Sequence, residues 1–338
     1  MILDYFTTNL PFEYPFTISN GRTKTHQPAL VVKLSLGPFV GYGEGPSIAY
    51  YNISVDQMIA DLESKKKLIE KFALTAPERY WHYLHHLFPN NPFLVCALDI
   101  AAWDLFGQMK AKPLFDLWDT NWSGTLPLTD YTIGIDSIEK MVAKMKAKPW
   151  PIYKIKLGTS EDIAIIKELR KHTNAEFRID ANAGWTVDEA VDKIPQLAEL
   201  GVTFIEQPLA KDNWDGMALL YQQSILPLIA DESCVFEQDV QKCHQHFHGI
   251  NIKLTKCSGI TPALRMINEA RSLNMKVMMG SMNEGTIGSA AIANFLPQLD
   301  YVDVDGPLLL AEDNASGLDF DFGKVMLSGR PGLGITLK

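Results

Sequence analysis

Cysteine is scarce in this chain of 338 residues, and the four present, Cys96, Cys234, Cys243 and Cys257, form no C-x-x-C pair. That pattern excludes a disulfide frame and a cysteine-built zinc site and fits reduced thiols. Positive charge is also short. Lys and Arg number 31 against 40 Asp and Glu, a formal balance of −9, so neither nucleic acid nor an anionic membrane is expected as a partner. Long apolar runs are missing: nowhere do about 18 apolar residues follow one another, and Met1-Ile2-Leu3-Asp4 opens no basic stretch leading into an apolar core. The expectation is a cytoplasmic protein without a membrane span, as a monomer or a homo-oligomer, acting on a small molecule. No low-complexity linker divides the chain. What is abundant is apolar sequence, 46% of residues, enough for a large α/β domain and a smaller companion.

Strand-like alternation marks the start, in Ala29 to Leu34 and Val40 to Glu44 around the turn pair Gly37-Pro38. Helical periodicity follows from about Ser54 to Phe72, Pro77 to Leu87 and Phe93 to Met109. Residues 1–120 therefore read as an α+β unit. From about Thr125 short apolar strands alternate with helix-length segments, the signature of repeated βα units. Polar residues recur at the expected strand ends: Thr132, Lys156, Asp180, Glu206, Asp231, Lys256, Ser281 and Asp305, with gaps of 24, 24, 26, 25, 25, 25 and 24 residues. Eight strand ends at that interval fit a (β/α)8-type barrel over residues 121–309, with an active site where these residues converge.

Three of the strand ends carry carboxylates: Asp180 in Arg178-Ile179-Asp180-Ala181-Asn182, Glu206 in Phe204-Ile205-Glu206-Gln207-Pro208, and Asp231 in Ile229-Ala230-Asp231-Glu232-Ser233. A single such residue reads as a helix cap or a solvated loop residue. Three on adjacent strands need a cation, and an all-oxygen set without Cys or His selects a hard ion, Mg²⁺ or Mn²⁺. Tyr153-Lys154-Ile155-Lys156-Leu157 puts two ammonium groups on one face of strand two. An isolated K-x-K reads as a solvated edge, but a barrel strand has no solvated face, so Lys154 and Lys156 are expected to point into the site. Asn251 to Lys256 is read as the end of strand six, four strands away in eight, which sets Lys256 opposite Lys156.

Lysine acts as a base only when neutral; a divalent cation, a second ammonium and desolvation all lower its pKa. A proton removed next to a carboxylate leaves an enediolate that a bound metal ion stabilises. With one base on each face of the carbon, the expected outcome is inversion. Strand eight, Tyr301-Val302-Asp303-Val304-Asp305-Gly306, adds two carboxylates opposite the metal arc. Besides closing an Asp-Gly turn, they call for a cation at the far end of the substrate, and a dipeptide's ammonium fits. The tract Cys243-His244-Gln245-His246-Phe247-His248 is expected on an outer helix, away from any site. Gly280 to Gly285 reads equally as pocket lining or turn, and Arg22, Lys24 and His26 as a basic loop of the small domain.

Taken together, Lys154-x-Lys156, Asp180-Ala181-Asn182, Glu206-Gln207-Pro208, Asp231-Glu232-Ser233, Asn251-Ile252-Lys253-Leu254-x-Lys256 and Asp303-x-Asp305 resemble the enolase superfamily, in its muconate-lactonizing branch, and most closely the dipeptide epimerases. The resemblance spans nearly the whole chain. It implies a (β/α)7β barrel with an α+β capping domain completed by the segment 310–338. It implies one Mg²⁺ on Asp180, Glu206 and Asp231, acid/base roles for Lys156 and Lys256, and Lys154 near the substrate carboxylate; a lysine base beside Mg²⁺ is the chemistry known for that superfamily. It further implies that Asp303 and Asp305 bind a dipeptide ammonium and that Thr132, Ser281 and Asn283 contact the peptide. Typical substrates of such enzymes are Ala-containing dipeptides, Ala-Glu among them, epimerised at the second residue. Arg22 is then a candidate partner for an acidic second side chain, with a small aliphatic one an equal option.

Other reactions through the same enediolate compete with this reading: cycloisomerisation, o-succinylbenzoate synthesis and N-acylamino-acid racemisation. None requires a substrate ammonium, so Asp303 and Asp305 discriminate. From a different class, a silent metal-dependent binder of small acids would not need paired lysines.

Overall fold

The computed structural model of the chain describes residues 1–17, 23–118, 120, 122 and 124–338; Arg22 lies outside them. The alternating N-terminal stretches become an antiparallel sheet of β1 (Ile2–Thr17), β2 (Thr23–Leu36) and β3 (Phe39–Pro46), with β2 in the centre. Three helices follow: α1 (Val55–Lys71), α2 (Pro77–Leu87) and α3 (Pro92–Lys110). Their starts are set locally. The Ser54 hydroxyl accepts from the Gln57 N–H ahead of α1, and the Asn91 side chain accepts from the Leu94 N–H ahead of α3, where Pro92 fills a position that needs no N–H.

Among the described residues α3 is the one helix long and apolar enough, by length and composition, to cross a membrane, but 78% of its apolar window is buried inside the protein. It is the core helix of the N-terminal unit. Its apolar surface packs on β3 through glycine: Gly41, Gly43 and Gly45 share one face of the strand, and a Cβ on each would meet Ala101, Ala97 and Phe93 respectively. The periods match, because two strand residues advance about 6.7 Å and four helical residues about 6 Å.

Eight parallel strands then form the barrel in sequence order: β4 (Tyr131–Ile133), β5 (Ile152–Lys156), β6 (Glu176–Asp180), β7 (Val202–Glu206), β8 (Leu228–Ala230), β9 (Gly249–Ile252), β10 (Lys276–Gly280) and β11 (Tyr301–Asp303). The seam between β11 and β4 is bridged by Thr129 and Val302, and the Thr129 hydroxyl accepts the Val304 N–H. Seven βα units followed by a last strand make this the (β/α)7β architecture expected above. Strands six and eight end earlier than expected. β9 stops at Ile252 and a short helix, Leu254–Cys257, begins at once, so Lys256 is not a strand residue; β11 stops at Asp303, and Asp305 opens the short helix Gly306–Leu309.

Buried polar ties join the N-terminal unit to the barrel. The Glu44 carboxylate of β3 accepts the N–H groups of Gly285 and Gly288 at the start of helix Thr286–Ala293, at 2.9 and 3.1 Å. Asp99 of α3 caps helix Ile260–Ser272 by accepting from the Thr261 N–H and hydroxyl, and the Trp81 indole donates to the Ser258 carbonyl. The C-terminal stretch runs back along the same joint: Leu310 bridges Phe12 of β1, and the Leu333 N–H donates to Asp104 of α3.

The strand-to-helix contact yields a test. Gly43→Ala is expected to destabilise the protein by roughly 1–3 kcal/mol, since a methyl group has to enter a closed backbone contact. Gly124→Ala, where a Cβ meets nothing within 4 Å, is expected to stay within about 0.5 kcal/mol of the parent. Urea unfolding of the two variants measures both.

Candidate functional site

Alternation along β5 turns Lys154 and Lys156 into the barrel mouth, as the sequence requires of a strand with no solvated face. Each meets carboxylates from the next strands. Lys156 Nζ lies 2.5 Å from Asp180 Oδ2; Lys154 Nζ lies 2.7 Å from Glu206 Oε2, 2.9 Å from Asp303 Oδ2 and 3.4 Å from Asp180 Oδ2. Asp180, Glu206 and Asp231 are all buried, and each offers an oxygen within 4.8 Å of the other two. The strand ends hold them stiffly: the Asn182 N–H donates to Asp180, the Asn251 amide to Glu206 at 2.7 Å, and the Gln207 side-chain carbonyl accepts the N–H groups of Asp231 and Ser233. Asn182, Ala183 and Gln207 take positive φ there, a backbone strain concentrated where the carboxylates are aimed.

Lys256 does not face Lys156. On its short helix it turns behind Asp231 and donates to the Asp231 carbonyl and carboxylate and to the Cys234 carbonyl, at 2.5, 2.6 and 2.8 Å. It is buried, and it does not line the cavity. Lys253 takes the place expected of it. As the last extended residue before that helix it reaches the cavity, with Nζ 2.8 Å from Asp231 Oδ2. Alternation gave the signal: Asn251 points inward to Glu206, so Lys253 two residues on does so too, whereas Lys256 falls on the opposite parity.

The cavity above these groups has a volume of about 230 Å³. Thr132, Ser281, Asn283 and Asp303 line it as expected, and so do Asn182, Glu232 and Met282. Asp305 does not reach it; its Oδ2 accepts the Thr132 N–H at 2.6 Å, one layer below Asp303. The N-terminal unit closes the other side with Lys24 of β2 and with Ile48, Ala49, Tyr50 and Tyr51, from the turn after β3. Among the described residues of the basic loop Lys24 lines the cavity and His26 does not; Arg22 lies outside the described residues. The Cys243 to His248 tract stays away from the cavity; Cys243 and Phe247 are buried, and His248 accepts the Leu228 N–H behind β8.

Charge sets the protonation of the site. Burial disfavours the ionised form of Asp180 and Asp231, but the ammonium groups of Lys156 and Lys154 beside the first, and of Lys253 and Lys256 beside the second, hold both below the usual carboxylate range. Glu206 is pushed up, by burial and then by Asp180. Burial likewise opposes charge on Lys154 and Lys253, yet Asp303 and Glu206 around the first and Asp231 and Glu206 around the second raise both. At Lys154 and Lys253 the surrounding carboxylates therefore outweigh burial. The same carboxylates suit a hard divalent cation: three hard donors converge, and Glu206 Oε2, though near Lys154, makes no aligned hydrogen bond.

Comparison with known proteins bears on the fold and the family. A family model described as Enolase C-terminal domain-like matches residues 136–338. An L-Ala-D/L-amino acid epimerase of Flavobacterium johnsoniae is 52% identical over 97% of this chain and 97% of its own length. Two solved structures superpose over nearly the full chain. The L-Ala-D/L-Glu epimerase from Bacillus subtilis, in a substrate-liganded complex, has a TM-score of 0.93 and 29% identity, covering 99% of this chain and 98% of that one. The dipeptide epimerase from Enterococcus faecalis, complexed with Mg and the dipeptide L-Leu-L-Tyr, has a TM-score of 0.92 and 28% identity, covering 99% of each.

The carboxylate arc predicts metal binding directly. Calorimetric titration with Mg²⁺ is expected to show one site, and Glu206→Gln is expected to weaken it by at least the roughly 10–100-fold that loss of a mere outer-sphere partner costs. Undiminished binding in the variant would remove Glu206 from the ligand set.

Proposed function

The chain belongs to the enolase superfamily, and from that premise we propose that it is a dipeptide epimerase, inverting the α-carbon of the second residue of Ala-containing dipeptides by two-base 1,1-proton transfer. One observation carries the reading: Lys156 and Lys253 both border the cavity, from β5 and from the end of β9, four strands apart in an eight-stranded barrel. A substrate carbon between them is reached on opposite faces.

Asp180, Glu206 and Asp231 would hold Mg²⁺, which when bound supplies Lewis-acid stabilisation of negative charge on the substrate carboxylate. Lys156 or Lys253, whichever faces the hydrogen and is neutral, takes the α-proton; the C–H electron pair moves into the carboxylate as an enediolate. The ammonium on the other side gives a proton to the opposite face, and the reverse reaction exchanges the two roles. Lys154, locked by Asp303 and Glu206, stays charged and adds electrostatic stabilisation close to the developing charge. Asp303, the member of the pair that lines the cavity, would receive the dipeptide ammonium, with Asp305 behind it. Lys256 is a positioning residue in this scheme, bracing Asp231 through its carbonyl and carboxylate.

The second side chain would lie against the N-terminal unit. Ile48, Tyr50, Tyr51 and Met282 offer it apolar walls, and Lys24, its charge disfavoured by partial burial, offers one cation. Both aliphatic and acidic second residues find a complement. The four free cysteines, all buried, fit the reducing cytoplasm as the place of action.

Proton NMR in D₂O with Mg²⁺ and a panel of alanyl dipeptides tests the scheme by following the α-proton of the second residue. Lys156→Ala and Lys253→Ala are each expected to slow epimerisation by about 10²–10⁴-fold, each keeping α-proton exchange of the one diastereomer that the surviving lysine faces. Lys256→Ala is expected to lower stability and Mg²⁺ affinity together. If Lys253→Ala epimerised at the parent rate, its role as a base would be excluded.

A further inference from the structure

Beneath the ammonium end of the cavity lies a second carboxylate cluster. Asp130, the residue before β4, joins Asp303 and Asp305, and each of the three offers an oxygen within 4.8 Å of the others. All are buried. Each is held by one strong donor: Asp130 Oδ2 accepts from Arg178 at 3.0 Å, Asp303 Oδ2 from Lys154 at 2.9 Å, and Asp305 Oδ2 from the Thr132 N–H at 2.6 Å. Asp130 Oδ1 and Asp303 Oδ1 are buried and have no hydrogen-bond partner among the described residues. Asp303 is also the member that reaches the cavity.

The charges around the cluster do not balance it. Arg178 of β6 is shared with Glu176 and lies 5.5 and 5.4 Å from the ring centres of Phe204 and Tyr301, which pack on each other; Lys154 of β5 is shared with Glu206 and Asp180. Lys156 acts on Asp303 from farther along β5, Tyr131 flanks Asp305 on β4, and Glu284 adds negative charge from the loop after β10. Two cations, Arg178 and Lys154, thus touch the three buried carboxylates, and each serves other acids as well. Like charges this close do not all stay ionised without another cation, so the set retains a proton. Burial and Asp303 push both Asp130 and Asp305 well above the carboxylate range, whereas Asp303, despite burial, is held down to about 2 by Lys154; Asp305, without a cationic partner of its own among the described residues, is the member that keeps the proton, shared toward Asp303.

We infer that the Asp130, Asp303 and Asp305 cluster exchanges a held proton for the substrate ammonium, with Asp130 as the third carboxylate that makes the exchange necessary. The inference rests on the dipeptide reading and goes beyond it. An ammonium entering at Asp303 supplies the missing positive charge and donates its N–H groups to the orphaned Oδ1; the carboxyl O–H bond of Asp305 breaks, its electron pair stays on oxygen, and the proton leaves to buffer. The cavity then selects for a cationic amine by more than a hydrogen bond. A neutral amide in that position, as in an N-acylated amino acid, leaves the proton where it was. The sign of the linkage follows: protons compete with substrate, so dipeptide affinity falls as pH drops below the cluster's own titration, by up to about tenfold per pH unit.

The test is calorimetric titration of the Mg²⁺-saturated protein with L-Ala-L-Val at pH 6, in two buffers of different ionisation enthalpy. At that pH an α-ammonium, with a pKa of about 8, stays charged. Epimerisation neither takes up nor releases net protons, so the buffer-dependent heat reports binding alone. The parent is expected to release about one proton per dipeptide, and Asp130→Asn to bind with that release nearly abolished. Binding by the parent without buffer dependence would overturn the exchange and leave the dipeptide reading standing; full release from Asp130→Asn would overturn the part given to Asp130. Should that variant not fold, the parent titrated at pH 5 and 6 decides, since an affinity that does not fall toward pH 5 contradicts the linkage. Absence of any binding by the parent would defeat both readings.

Discussion

Everything at the barrel mouth depends on one constraint: buried carboxylates have to be neutralised, and here lysine does most of it. Desolvating a carboxylate costs several kcal/mol unless a partner compensates. Asp180, Glu206 and Asp231 each have an ammonium within 2.8 Å, from Lys156, Lys154 and Lys253 in turn. Lys156–Asp180 and Lys253–Asp231 tie neighbouring strand ends and Lys154–Glu206 reaches from β5 across to β7, so a lattice of charge replaces the apolar layer a barrel would otherwise carry at this level. The apolar core resumes around it, with Ile155, Ile179, Ile205 and Ile252 at full burial on the alternate face of the same strands. A site built this way is rigid before any ligand arrives, which is the condition for electrostatic catalysis without reorganisation.

The N-terminal unit is fixed to that lattice by ties of the opposite kind, neutral donors on buried acids. Glu44, Asp99 and Asp104 accept backbone N–H groups from the barrel or the C-terminal stretch, and burial pushes their carboxyls up to about 8, 7 and 6 while those same N–H groups resist the shift. Two of these acids sit at helix N-termini, where the macrodipole favours negative charge. The glycine face of β3 on α3 then brings the turn Ile48 to Tyr51 over the mouth. Removing the side chains at Gly41, Gly43 and Gly45 is what allows helix and strand to approach closely enough for this.

How much of this was legible in the sequence depended on whether a residue's position follows from chain periodicity. The βα repeat and the alternation within β5 located Asp180, Glu206, Asp231, Lys154 and Lys156, because a strand end in a closed barrel has one inward direction. The same even spacing misassigned Lys256. Counting about 25 residues per unit fixes where a unit begins again, not where its strand stops, and β9 gives way to a helix at Leu254. Parity with Asn251 would have selected Lys253. Asp305 was read as a second cavity residue for a similar reason: extended alternation was carried past Asp303, whereas Asp305 has αR backbone and turns down toward Thr132. Tyr50, Tyr51 and Lys24 could not be located by either rule, since their place over the mouth arises from the packing of one unit on another.

This division has a consequence for substrate choice. Every charged group assigned to proton transfer or to the two ends of the dipeptide belongs to the barrel, whereas most of the wall left for the second side chain is Ile48, Tyr50 and Tyr51 of the N-terminal unit. An apolar wall discriminates weakly, at about 1–3 kcal/mol for a methylene group. The cationic end is discriminated strongly, because a ligand without it leaves buried carboxylate oxygens unmatched. The architecture therefore favours strict recognition of the dipeptide backbone and loose recognition of its second side chain. Changes in the turn Ile48 to Tyr51 can shift that preference without disturbing the lattice that performs the chemistry, since no ion pair of the lattice is made by a residue of that turn among the described residues.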